Sequence, residues 1–423
     1  MPSQFDTFTT LSDWITSEAI PFSLDDLPSI DSAVDKIVTM LGDTVEVLGL
    51  GEPTHQVETF LTFRNRVFQR LVQHHGYTAI AIESSYPRGR LANEYISGRG
   101  KSSFENVIEL GFSHQFGNMR ANHELIEWMR SFNAEHARHS LRFDGFDGPM
   151  EMMYTDSPRA LLHAAIDYLI SIDGEKAEAR RSLIDQLLGD DALWESQEAA
   201  FDPSKSIGLT PAAKSLGAEV EQLSRELQDR RDELIAASGE ECFLEAVHDV
   251  HASGQLLAYH ALVATPSDDR LSNIMSQRDM IQADNLNYIV GRERRRGGKV
   301  LAFAHNGHLK MGKTKWQLSD QKLAWSPAGS HVRRMLGDGY RVIGVGVGTM
   351  AAQNVGRPED GTLEQLLTKG DLSLLIPTHL GVGLPVDAIT DLAIRDNPSP
   401  GYFPFTPECF TEYDVLAFLA TAD

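Results

Sequence analysis

The sequence predicts an α/β fold: a largely parallel or mixed central sheet flanked by helices and interrupted by a helical insertion. Three observations carry that reading. Short apolar runs of strand length alternate with stretches of helical periodicity. Four of those runs are followed directly by acids or histidines. Between residues 157 and 289 the strand signals vanish and only helical patterns remain.

Taken in order, residues 45–50 (VEVLGL) read as a buried strand. Residues 57–75 read as a helix whose apolar stripe runs through Phe60, Phe63, Val67 and Leu71. Residues 78–82 (TAIAI) form the second strand, residues 125–132 belong to a helix, and a short strand begins at 141–143. In the middle of the chain Leu216, Val220, Leu223 and Leu227 fall at helical spacing, and a second apolar helix covers about 243–263. The basic run at 292–296 suits a helix C-terminus, where cations complement the dipole. Residues 299–304 (KVLAFA) and 341–347 (RVIGVGV) are strands, and 372–376 (LSLLI) is one more candidate. Gly344, Gly346 and Gly348 keep strand periodicity and read as small-residue packing. This divides the chain into a first part of the core (1–156), a helical insertion lobe (157–289) and a second part of the core (290–423).

Composition narrows the function classes. Hydrophobic residues make up 42% and charged residues 23%, which excludes disordered and fibrous chains. With 60 acidic residues against 38 basic ones, the net charge is −22. Such a surface repels phosphate backbones and anionic lipid, so neither nucleic acid nor membrane is an expected partner. Cys242 and Cys409 lie far apart in no CxxC spacing, which rules out a cysteine zinc site or a disulfide framework. Residues 1–14 show no leader-like basic and apolar regions, and no apolar run approaches the ~18 residues of a membrane span. The expected location is cytoplasmic. The oligomeric state is left open.

In a parallel α/β sheet, ligands bind beyond the carboxyl ends of the strands. Glu52, Pro53, Thr54 and His55 follow the first strand, and Glu83, Ser84 and Ser85 the second. Asp144 to Asp147 follow the third, and His305, Asn306, Gly307 and His308 the fourth. Four strands thus deliver acids and imidazoles to one edge. Each residue alone has a plainer reading. Thr54 reads as a helix cap, which would put His55 in the first turn, where the helix dipole lowers its pKa and keeps it a neutral base. Asp147 reads equally as a turn-holding residue. Glu83 ends an apolar strand, where an unpaired carboxylate is costly. Arg64 lies on the apolar stripe of its helix and needs an anionic partner there: Glu52, Glu83 or a substrate oxygen.

His305 and His308 stand at i, i+3, and with His55 and the glutamates they suit either a metal ion or metal-free acid–base work. His248 and His251 share that spacing inside the insertion and read as structural. His114 and His123 sit in a Gly- and Asn-containing stretch that can line a pocket. There is no GxSxG elbow, HExxH, P-loop or dinucleotide-binding glycine pattern.

The motifs LGEPTH (50–55), FRNRVFQRLV with Arg64, IES with Glu83, and AHNGHL (304–309) together resemble the erythromycin esterase family. NEYISG (93–98), EWMRSFN (127–133), FDGFD (143–147), QRDMIQADN (277–285) and YDVLAFL (413–419) support the likeness. The resemblance implies an α/β core with a helical part over a cleft. It also implies hydrolysis of a macrolide lactone or similar small ester by water, without a serine nucleophile and without a cofactor. Carried over, His55 is the base, Glu52 and Glu83 orient it, and Arg64, His305 and His308 polarise or transfer protons. Asp147, His114 and Gln56 would contact substrate. The family has glycine where this chain has Gln56. Three other readings use the same residues: a zinc-, iron- or manganese-dependent hydrolase, a biosynthetic enzyme of elimination or acyl transfer, and a non-catalytic protein binding haem, metal or a small acid.

Overall fold

The computed structural model describes residue 8 and residues 10–151, 154–368, 370–378, 383–396 and 401–423. Residues 1–7 and 9, part of the stretch read above for a leader, lie outside the described residues. The main sheet has eight strands. In chain order they are β1 (Ile20–Phe22), β2 (Val47–Glu52), β3 (Tyr77–Ser85), β4 (Arg142–Asp147), β5 (Lys299–His305), β6 (Tyr340–Thr349), β7 (Ser373–Pro377) and β8 (Val415–Thr421). Across the sheet the order is β1-β7-β8-β6-β2-β5-β3-β4. From β8 to β4 every pairing is parallel, while β7 runs antiparallel to both β8 and β1. The sheet is therefore mixed, with its parallel part at the centre. The strands expected from the sequence all form, and two more join them, the edge strand β1 and the central strand β8.

Side-chain size explains how the two faces differ. One face carries Leu48, Leu50, Ile80, Ile82, Leu301 and Phe303 and packs on the helices Leu27–Leu41, Glu58–His74 and Arg120–Glu135. The other carries Ala79, Ala81, Ala302 and Ala304, and these small residues let the long helix Arg270–Arg295 lie close through Ala283, Leu286, Ile289 and Val290. That helix runs unbroken past residue 289. On the same side a Cβ at Gly344 or Gly346 would collide with the ring of Tyr413 or Phe405, so these two glycines make room for aromatic packing.

The helices Arg159–Asp173, Pro211–Asp229 and Glu240–Val263 share an apolar cluster of their own. In this lobe His248 is buried, bonds Asn285 Oδ1 at 2.9 Å and stacks on Tyr288 at 4.0 Å, which is a packing role. The basic run does lie at a helix C-terminus, with Arg292, Arg294 and Arg295 in the last turn of the helix Arg270–Arg295, and Arg292 has a second role there. It is buried and grips both oxygens of Asp144 at 2.9 and 2.6 Å, so Asp144 is committed to fold rather than chemistry. No helix of the described residues is long and apolar enough to cross a membrane. The two cysteines are free.

Parallel register fixes the site. Glu52 on β2 pairs with His305 on β5, and Ser85 on β3 with Asp147 on β4. Beyond β5 the amide of Asn306 hydrogen-bonds Val345 on β6 in both directions, donating at 2.7 Å and accepting at 3.0 Å. That bridge crosses directly over Gly51, where an added Cβ would lie 2.0 Å from Asn306 Oδ1. Gly51→Ala is therefore expected to dislodge Asn306 and to destabilise the protein by about 1–3 kcal/mol through two lost buried backbone partners. Equilibrium urea denaturation measures this.

Candidate active site

The ends of β2, β5 and β3 bring Glu52, His55, Glu83, His305 and His308 together around a cavity of about 200 Å³. His55, Glu83, His114, Arg278, His305 and His308 line it, with Met275, Trp316, Trp325 and Phe403 as apolar walls. Two larger clefts flank it. One of about 650 Å³ shares His114, and one of about 620 Å³ shares Trp316 and Phe403. The imidazoles and acids converge on the small cavity, not on the clefts.

His55 lies in the turn after β2, ahead of the helix, which starts at Glu58 with Val57 as its cap. The expected first-turn position is thus corrected, and with it the dipole argument for a lowered pKa. Its Nδ1 is 2.7 Å from Glu52 Oε1, and its Nε2 is 3.7 Å from Glu83 Oε1. Burial pulls the ring's pKa down, but Glu83 and Glu52 more than reverse this, and the net shift is upward. The ring is 32% exposed, so Nε2 stays reachable. Glu52 is wholly buried, and its Oε2 has no hydrogen-bond partner among the described residues. Burial raises its pKa against the opposing pull of His55.

Glu83 is the hub. Its Oε1 meets Arg278 Nη2 at 2.7 Å and His308 Nε2 at 3.2 Å, and its Oε2 accepts the backbone N–H of His305 at 2.8 Å. Burial alone would raise its pKa. The charges of His308, His55 and Arg278 instead hold it well below the usual carboxylate range. His308 sits between two carboxylates, with Nδ1 at 2.9 Å from Asp279 Oδ1. Desolvation opposes its charge, but Asp279 and Glu83 push its pKa up to about 10, so it is an imidazolium at neutral pH. Asp279 in turn accepts from Trp325 Nε1 at 2.8 Å and from the backbone of Ala328 at 2.7 Å.

Other expected residues are placed differently. Both nitrogens of His305 are engaged: Nδ1 accepts from Gly307 N–H and Nε2 donates to the Pro53 carbonyl, each at 3.1 Å. Burial first, then neighbouring His55, lowers its pKa to about 3, so the ring is neutral. It pins the turn that carries His55. Arg64 makes no direct ion pair with Glu52 or Glu83, which corrects the expected carboxylate contact. Its Nη2 donates to the amide oxygens of Asn65 and Asn122, both at 2.8 Å, and its guanidinium lies over Phe303 at 4.8 Å. Burial lowers its pKa to about 10. Two amides and an aromatic face hold this cation without a direct carboxylate contact, and it is not among the residues that line the cavity.

Asp147 is fully buried and grips Arg278 rather than lining the cavity. His114 does line it. Its Nδ1 pairs with Ser113 Oγ at 2.8 Å, and its Nε2 accepts from Arg278 at 3.3 Å. Burial and Arg278 hold its pKa well below normal. His123 bonds the Gly117 carbonyl at 2.7 Å and faces the neighbouring cleft. Gln56 is exposed and is not among the cavity-lining residues. Its backbone is left-handed, at φ +62°, a conformation that favours glycine. His114 and Gln115, both at φ +57°, carry the same strain on the opposite rim. Gln56→Gly removes about 1–2 kcal/mol of left-handed cost. It returns about 0.5–1 kcal/mol in chain entropy. A small net gain in melting temperature is expected, with turnover retained.

Arg278 and Asp279 stand in the QRDMIQADN segment but carry no expected site role, and neither do Trp316 and Trp325. Arg278 holds Asp147 through Nε at 3.2 and 3.1 Å and through Nη2 at 2.5 Å. Glu83, His114 and Asp147 offer three ligand atoms within 4.8 Å of one another, a set that could hold a metal. Arg278 Nη2 bonds one side-chain atom of each of these three residues.

The erythromycin esterase family model matches residues 72–405. The chain belongs to the erythromycin esterase family. This family comprises carboxylic ester hydrolases, and its matched stretch includes Glu83, His305 and His308, while Glu52, His55 and Arg64 lie just ahead of it. An erythromycin esterase type II of Escherichia coli is 24% identical over 338 residues, 79% of this chain and 76% of that protein. A Bacillus cereus protein of known structure superposes with a TM-score of 0.74 at 17% identity, covering 97% of both chains. An erythromycin esterase, EreC, solved in its open conformation superposes with a TM-score of 0.67 at 18% identity, covering 94% of this chain and 95% of that one. The fold is thus the fold of the erythromycin esterases.

Proposed function

We propose that this esterase-family protein opens a lactone or cleaves an ester by direct attack of water, with His55 as general base. The observation that carries this reading is the Glu52–His55 pair at 2.7 Å, whose free Nε2 faces a cavity it shares with Glu83. Glu52 takes the proton side of Nδ1 and so fixes the tautomer in which Nε2 is basic. A water on Nε2 gives up its proton as its oxygen bonds to the carbonyl carbon. The tetrahedral anion then collapses, the carbon–oxygen bond of the ester breaks, and His55 returns the proton to the leaving alkoxide. His305 acts as a positioning residue through the Pro53 carbonyl, and the His308 imidazolium keeps Glu83 ionised.

The cavity is below the roughly 300–1,000 Å³ typical of pockets for drug-sized ligands. It fits the reacting ester and its immediate neighbours, while the rest of a macrolide-sized substrate would extend into a flanking cleft. The test is incubation with a panel of macrolactones and simpler lactones, read by mass spectrometry. Hydrolysis adds the mass of one water to the product, whereas elimination or acyl transfer gives a different mass. No water-adding product from any member of the panel would reject this reading.

A further inference from the structure

We infer that Arg278 is the resident cation of this site, standing where a divalent ion would otherwise bind, and that its free Nη1 is the donor for the oxyanion. Glu83, His114 and Asp147 form a donor set whose chemistry suits a zinc- or manganese-type ion. Nη2 of Arg278 lies 2.7 Å from Glu83 Oε1, 2.5 Å from Asp147 Oδ2 and 3.3 Å from His114 Nε2. A metal bonded to the same three atoms would overlap that nitrogen and repel its charge, so the set does not fit an ion while Arg278 is in place. His114 confirms the direction of the contact, since its Nε2 can only accept from a guanidinium.

The second half of the inference follows from which nitrogens are used. Among the described residues Nε and Nη2 take every hydrogen bond of Arg278, and Nη1 has no partner there. Arg278 lines the cavity. A planar guanidinium held along one edge by a carboxylate has its third nitrogen fixed in direction. Nη1 therefore presents N–H groups to the cavity without reorganisation, which is the requirement for stabilising charge that develops in a transition state. Neither Arg64, buried and absent from the cavity lining, nor His305, whose N–H is spent on Pro53, offers such a donor.

The kinetic arm of the test rests on the hydrolytic reading, and the binding arms do not. Arg278→Lys keeps a charge near Asp147 and Glu83 but cannot hold both and present a third nitrogen. It is expected to lower kcat by about 10²–10³-fold, with KM changed far less. Titration with a cyclic phosphonate, a tetrahedral anion, is expected to show at least about tenfold weaker binding to Arg278→Lys than to the parent. Arg278→Ala, checked for folding by thermal melting, is expected to take up added zinc in a one-to-one ratio that the parent does not, and to regain activity with guanidinium salts. Equal phosphonate affinity in the parent and Arg278→Lys would overturn the oxyanion role. Stoichiometric zinc uptake by the parent at Glu83, His114 and Asp147 would overturn the resident-cation role. If the parent hydrolyses a lactone, His55→Ala does not, and Arg278→Lys remains as fast as the parent, this inference fails while the hydrolytic reading stands.

Discussion

Replacing His55 with alanine is expected to lower turnover of an ester or lactone by about 10²–10⁴-fold, the range that positioned acid–base catalysis supplies. The melting temperature should stay near that of the parent. The ring is partly exposed, and its one strong bond is to Glu52. Glu52 then loses its partner, but its burial already favours the neutral form, so the loss is absorbed by a proton rather than by unfolding. Steady-state kinetics with a calorimetric melt on the same sample checks both halves. Turnover within tenfold of the parent would remove His55 from the mechanism.

Replacing His308 with alanine should act on stability instead. His308 is buried between Glu83 and Asp279, and removing one partner of a buried ion pair costs about 3–5 kcal/mol. The sign of the pH dependence follows from its raised pKa. With a folded value of about 10 against an ordinary 6.5, its contribution is complete below pH 6.5 and is lost as pH climbs toward about 10. The parent should therefore lose stability across that alkaline window more steeply than the His308→Ala variant. Denaturant unfolding at several pH values measures the difference. Parallel pH profiles would mean that His308 is not the buried imidazolium described above.

The residues explain why part of this protein is legible in its sequence and part is not. Strands such as 45–50, 78–82 and 299–304 are apolar on both faces and end in chemistry-bearing residues, so their existence and their functional edge can both be read. Parallel order then does the rest, because β2, β5, β3 and β4 are neighbours. β8 is as apolar as these, yet in the sequence only its residues 415–419 stand out, and only within the motif YDVLAFL. Arg64 shows where the charge argument stops short. A cation on an apolar stripe does need partners, but two asparagines and a phenylalanine ring suffice.

Arg278 shows the opposite. It follows Ile274 by one helical turn and precedes Ile281 and Asn285 on the same buried face, so the argument applied to Arg64 would have marked it too. What no spacing shows is that Asp147, 131 residues earlier in the chain, grips it from the sheet edge. The direction of the His55 shift was likewise invisible. Helix position argued for a lowered pKa, while the Glu83 carboxylate across the cavity raises it.

The most direct test of His55 as the base is the acid limb of kcat/KM in the parent and in Glu83→Gln. Because Glu83 and Glu52 raise the His55 pKa, activity in the parent should rise with pH through a value above 6.5. Removing the Glu83 charge should move that limb to lower pH. An acid limb that stays in place when Glu83 is neutralised would contradict the assignment of His55 as the group that activates water.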